Sequence, residues 1–178
     1  MSEQAPTADE VMAAISRAQH AALGGDRARA RQEFGELWEQ IGQDGDPLHR
    51  VTLAHYMADV QDDPRDELEW DRRALAAADS LTDERAQEYH AALVVRGFYA
   101  SLYLNLAADY EKLGQLLQAR EHVALAESAT TDLPADGYGE FVRSGIAGLR
   151  DRLAAGVVHA TSDRYRRSEL PPLESPLR

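Results

Sequence analysis

Six histidines and thirty-one acidic residues are the groups of this 178-residue chain that could ligate a metal or move a proton, and no cysteine accompanies them. The best-spaced pair is His55 and Asp59, four apart and so on one face of a helix. His49, six residues before His55, points elsewhere. A metal site needs several ligands converging from known spacings. The sequence has neither a Glu-x-x-His pair, which builds carboxylate-histidine centres in helical bundles, nor a His-Glu-x-x-His run. The His55/Asp59 pair is therefore read as hydrogen-bonded or solvated, and no metal or cofactor is expected. Without cysteine there is no thiol nucleophile, thiolate zinc site or disulfide. A phosphate loop, a dinucleotide glycine pattern and a Gly-x-Ser-x-Gly elbow are all missing too. The chain is read as not an enzyme.

Arg96 is the oddest charge, because it sits inside the most apolar stretch, Ala91 to Ala108. As an anchor for a ligand carboxylate it would make a small-molecule sensor or enzyme, its ligand enclosed by the bundle near Arg96, Tyr99 and Tyr103. As a structural residue it pairs with an acid of a neighbouring helix or extends past the helix edge, and this is the reading favoured. Arg96, Asn105 and the acidic flanks of the stretch also argue against a membrane span. A net charge of -12 and a pI near 4.9 argue against nucleic acid, whose backbone needs a basic face. The start from Met1 to Ala8 is polar, carries Glu3 and lacks the pattern of a secretory signal. Lys112 is the only lysine, which reads as the codon bias of a GC-rich genome. A bacterial, cytoplasmic protein is expected.

Punctuation along the chain predicts the elements that would position these groups. Thirty alanines favour helices throughout. A Thr7/Glu10 capping box opens a helix ending at Gly24-Gly25, and a second runs from Asp26 to about Ile41. Asp46-Pro47 and Asp63-Pro64 each supply an N-cap and a first-turn proline, which predicts helices at about 47–61 and 64–80. Thr82-Asp83-Glu84 starts a fifth helix that nothing stops before Gly114. Along it Tyr99, Tyr103, Leu106, Tyr110 and Leu113 recur at helical spacing. Helices at about 115–130 and 136–155 complete an all-α chain of about seven helices, one of them long and central. The domain is placed at 1–156, with 157–178 as a flexible or extended tail.

The frame Tyr103-x-x-Leu106-Ala107-x-x-Tyr110, followed by Gly114, Ala119, Val123 and Ala126, resembles the tetratricopeptide repeat. The frame recurs in Ala18-x-x-Ala21, Gly25-Asp26, Ala30, Phe34 and Leu37. A third copy, Leu53-Ala54-x-x-Met57, continues to Trp70 at the aromatic position, with Asp66 in the place of the small packing residue. Equivalent positions Arg17, Leu53 and Leu106 lie 36 and 53 residues apart, so the repeats are degenerate against a period of about 34. The resemblance implies an antiparallel helix-hairpin array, an α-α superhelix. In that family the first helix of each pair lines a groove that takes a peptide. Carried over, the inward residues are Met12, Ile15, Ser16 and Gln19, then Val51, Thr52, His55 and Asp59, then Ser101, Leu104, Asn105, Ala108 and Glu111. Of the residues that clamp a peptide carboxylate in the family's chaperone-tail binders, only Asn105 has a counterpart, which favours a neutral or basic ligand.

The expected function is thus a non-catalytic scaffold or adaptor that binds a protein, peptide or helix. The groove candidates are Gln19, Thr52, His55, Asp59, Ser101, Asn105 and Glu111, with Arg96 as the candidate buried anchor. Charge supports a basic partner: Asp59 to Glu88 holds eleven acids against four arginines, a net of -7. A homodimer through the fifth helices is a further reading, as is docking of the tail's Arg164-Tyr165-Arg166-Arg167 on the acidic face.

Overall fold

The computed structural model describes residues 8–89 and 95–156; Thr7 and the 157–178 tail lie outside them. Within them the chain forms eight α-helices and no strand: α1 (Ala8–Leu23), α2 (Arg27–Ile41), α3 (Pro47–Asp59), α4 (Pro64–Ala78), α5 (Asp83–Tyr89), α6 (Val95–Lys112), α7 (Leu116–Ser128) and α8 (Gly137–Ala155). A 3-10 turn at Ala129–Asp132 joins the last two. No helix of the described residues is long and apolar enough to cross a membrane.

Local chemistry sets most boundaries. Side chains of Asp26, Asp46, Asp63 and Asp136 accept backbone N–H groups of Arg29, Leu48, Arg65 and Gly139, with Pro47 and Pro64 in the first turn of their helices. Each such cap contributes about 1 kcal/mol. At the other end of α8, Gly156 takes the left-handed conformation (φ 68°) and donates its N–H to the Arg152 carbonyl, a helix stop that a side chain would strain.

Consecutive helices pack as antiparallel hairpins, α1 with α2, α3 with α4 and α6 with α7, and α8 closes the array against α6 and α7. The seams are made of small residues. Ala18, Ala30, Ala54, Ala107, Ala119 and Ala126 are all fully buried, as is Phe34, and Val123 is nearly so. Trp38 and Trp70 meet edge to face at 5.0 Å and 85° across α2 and α4. The Arg50 and Arg73 guanidiniums lie over their rings at 4.6 and 4.3 Å. One core cluster fills the first two hairpins, a second the last three helices, and α6 contributes to both.

The unbroken fifth helix expected from residue 82 to Gly114 is instead two helices. The Val95 N–H donates to the Asp83 carboxylate at 2.9 Å, whereas twelve residues of continuous helix would separate them by about 18 Å. The sequence hid the break because apolar residues run through it. Asp83 therefore serves two helices, lying in the first turn of α5 and binding the first N–H of α6. Arg85 pairs with Asp46, whose carboxylate also caps α3, and so ties α5 to the second hairpin. Replacing Asp83 by Ala should lower the unfolding free energy by about 1 kcal/mol. Glu84→Ala should stay within about 0.5 kcal/mol of wild type; urea denaturation of both variants checks this.

Candidate functional site

The residues expected to line an open groove are mostly buried under the chain itself. Met12, Ile15, Val51, Thr52 and His55 are each at most 2% exposed. The apolar members of this set, Met12, Ile15 and Val51, belong to the core cluster that also contains Leu81, Ala86, Val95, Phe98 and Leu102. Leu81, Ala86 of α5 and the first turns of α6 thus cover the first two hairpins. Farther along, Ser101, Leu104, Asn105 and Glu111 are buried as well. Gln19, Ser16, Asp59 and Ala108 are half-buried. The Arg96 side chain lies outside the described residues.

Burial of so many polar groups demands partners, and the helices supply them. The Asn105 side-chain amide donates to His55 Nδ1 at 3.1 Å, which joins α6 to α3 and leaves the neutral imidazole proton on Nε2. The fold thus brings two of the expected groove residues into direct hydrogen bonding. Thr52 returns its hydroxyl to the Leu48 carbonyl at 2.8 Å. Ser101 donates to the Phe98 carbonyl and accepts from the Tyr138 hydroxyl at 3.1 Å. Burial pushes the Tyr138 phenol above its ordinary pKa, with Asp136 adding to the rise. Glu111 receives two bonds from Arg152, at 3.1 and 2.8 Å, a forked pair in which the carboxylate is 5% exposed.

Residues that the sequence alone left unassigned complete this seam. Lys112 reaches Glu67 of α4 at 2.6 Å and the wholly buried Asp109 at 3.5 Å. Arg72 bonds the Tyr110 hydroxyl at 3.0 Å. Tyr138 and Arg152 carry the signal that could have found them: they flank the stripe Val142, Ile146, Leu149 and Leu153, whose helical spacing marks the buried face of α8. Magnitude settles the role of that helix. Burying four such side chains stabilises by roughly 6–12 kcal/mol, comparable to the whole stability of a domain. α8 is part of the fold, not a displaceable occupant of the groove.

Several acids of the window from Asp59 to Glu88 are likewise engaged within the chain. Asp63 caps α4 and Asp83 binds the start of α6. Asp62 pairs with Arg31, Glu67 with Lys112 and Glu69 with Arg73. Asp79 accepts the Tyr99 hydroxyl at 3.0 Å, and burial first, then that carboxylate, pushes the Tyr99 phenol up to about 12. Tyr99 and Tyr103 lie ring to ring at 5.9 Å. No group of three His, Asp or Glu among the described residues could hold a metal ion.

The outer side of the last hairpin is different. A cavity of about 220 Å³ opens between α7 and α8, with Val123, Ala124, Leu153 and Ala154 as its apolar walls and Arg120, Glu127 and Arg150 around them. Exposed large apolar side chains gather on the same two helices: Leu117 is 71% exposed, Leu125 43% and Phe141 42%. Leu23, at the end of α1, is the other such residue among those described.

Comparisons of the chain with protein-family models, with curated proteins and with solved structures find no match. The geometry of the seam makes a direct prediction. His55→Ala and Asn105→Ala should each cost about 1–3 kcal/mol, since each strands a buried polar partner. Combined in a double-mutant cycle they should cost less than their sum; additive losses in urea denaturation would show that the bond is not made in solution.

Proposed function

We propose that the chain is a non-catalytic protein-interaction module of the tetratricopeptide type, and that it meets its partner on the outer α7–α8 face instead of in an inner groove. The repeat reading is supported by burial at matching positions: Ala18, Ala54 and Ala107 on first helices, with Ala30, Phe34, Ala119 and Val123 on second helices. Small residues there let paired helices approach, and the larger ones fill the space between neighbouring pairs.

The observation that carries the choice of surface is the exposure of Leu117, which shares a face of α7 with Ala124 in the wall of the cavity between α7 and α8. An exposed leucine beside an apolar cleft with charged borders has the anatomy of a contact surface. The inner residues are spoken for: His55 by Asn105, Ser101 by Tyr138 and Glu111 by Arg152. With the acids of α4 and α5 largely engaged in caps and ion pairs, the partner is better described as an apolar helix or segment than as a basic one.

The test compares wild type with Leu117→Glu/Leu125→Glu as baits in a native lysate, with captured protein quantified by mass spectrometry. Both sites are exposed, so helicity and melting temperature should be unchanged, while recovery of the partner should fall about tenfold or more. Undiminished recovery by the double variant would move the contact surface elsewhere.

A further inference from the structure

A row of aromatic rings runs along α6 and is continued by α7 and α4. Tyr99 and Tyr103, one turn apart on α6, stand 5.9 Å ring to ring. His122 of α7 comes next, 6.4 Å from Tyr103 and 4.8 Å from Tyr110. The Arg72 guanidinium of α4 ends the row, 5.8 Å over the Tyr110 ring. From Tyr99 to Tyr110 the helix advances about 16 Å. α6 packs against both α4 and α7, so those two helices flank the strip. Tyr99, Tyr103 and His122 are half-buried, and Tyr110 is buried.

Packing accounts for the rings but leaves polar groups over. The Tyr99 hydroxyl donates to Asp79 and the Tyr110 hydroxyl accepts from Arg72, each at 3.0 Å. The Tyr103 hydroxyl makes no hydrogen bond among the described residues. His122 Nδ1 is bonded to the Gln118 carbonyl at 2.9 Å, so the neutral ring carries its proton there and keeps Nε2 as an open acceptor. Arg72 and Asp79 are exposed, and among the described residues neither has an ion-pair partner. Seven residues apart, they share one face of α4 at about 10 Å. The strip thus offers rings along its length, a donor and an acceptor at its centre, a carboxylate at the Tyr99 end and a cation at the Tyr110 end.

These features select among partners. A helix keeps its backbone groups bonded to one another and would leave Tyr103 and His122 unanswered. A polyproline II segment has no internal hydrogen bonds, and its proline rings pack on aromatic side chains at little entropic cost. Five of its residues span about 16 Å, the length of the strip, and residues three apart lie about 9 Å from each other, close to the Arg72–Asp79 separation. We propose that the Tyr99–Tyr103–His122–Tyr110 strip binds a proline-rich segment of a partner protein, with a basic residue toward Asp79 and an acidic one toward Arg72. Tyr103 donates to a carbonyl of the segment, and His122 Nε2 accepts an N–H from a residue other than proline. This site does not rest on the outer face proposed above, since His122 and Ala124 lie about 200° apart around α7.

Fluorescence anisotropy with the full-length chain is the test. The probe is a fluorescein-labelled peptide, Pro-Pro-Arg-Pro-Ala-Glu-Pro-Pro, whose alanine supplies the N–H. At low salt it should bind saturably with a Kd of about 100 μM or below, and a peptide with alanine for every proline about tenfold more weakly. Tyr103→Phe keeps the ring, removes only the hydroxyl and should weaken binding about threefold. Asp79→Asn should weaken the probe by a similar factor, but not a peptide with glutamine in place of its arginine. Arg72→Gln should do the same with respect to the glutamate. No saturation by about 1 mM peptide, equal binding of the alanine peptide, or indifference to all three substitutions at unchanged helicity would each overturn the proposal. So would a loss of binding in Leu117→Glu, which would place the peptide in the α7–α8 cleft, or a dimer in sedimentation that the peptide dissociates, which would make a second copy the occupant. Failure of the peptide leaves the outer-face reading standing, and a failed capture from lysate leaves the strip standing.

Discussion

Close approach of neighbouring helices is the constraint on which the rest of this array depends. Where Ala18, Ala30, Ala54, Ala107, Ala119 and Ala126 stand at the seams, there is no room for water between helices. A polar side chain that lies near a seam must then be satisfied by its own or another helix. This requirement turns His55, Asn105, Ser101 and Glu111 from prospective ligand contacts into internal ties. It also explains why α8 carries Tyr138 and Arg152 at the flanks of its apolar stripe. They answer Ser101 and Glu111 on α6.

Several features of the fold were legible because the chemistry that sets them is local. Asp46-Pro47 and Asp63-Pro64 announce helix starts within a few residues, and Gly42 and Gly156 end helices by their own backbone freedom. The helix boundaries read from the sequence accordingly agree with the structure to within a residue or two, the fifth helix excepted. There the sequence shows only apolar residues and good helix formers, and the decisive contact, Val95 with Asp83, spans twelve positions. A pattern of period 3.6 carries no information about where a chain doubles back.

The burial of the groove candidates was illegible for a related reason. The resemblance to the repeat family nominated Thr52, His55, Ser101, Asn105 and Glu111 as inward residues; all five are buried, and His55 meets Asn105. It could not say that α5, the first turns of α6 and then α8 would pack over those faces. The net charge was similarly legible as a sum and illegible as a surface. Several acids between Asp59 and Asp83 are used in caps and ion pairs, which the sequence count does not show.

The two tryptophans, which are the only ones in the chain, add an optical property to a packing role. Trp38 and Trp70 stand edge to face at 5.0 Å, one on the first hairpin and one on the second. Indoles so close couple their electronic transitions, and each also has a guanidinium over its ring. Tryptophan emission and the tryptophan bands of the near-ultraviolet dichroism therefore report the α2–α4 seam. The protein carries a native gauge of hairpin separation in its first half, and the α7–α8 end is spectroscopically silent in tryptophan light.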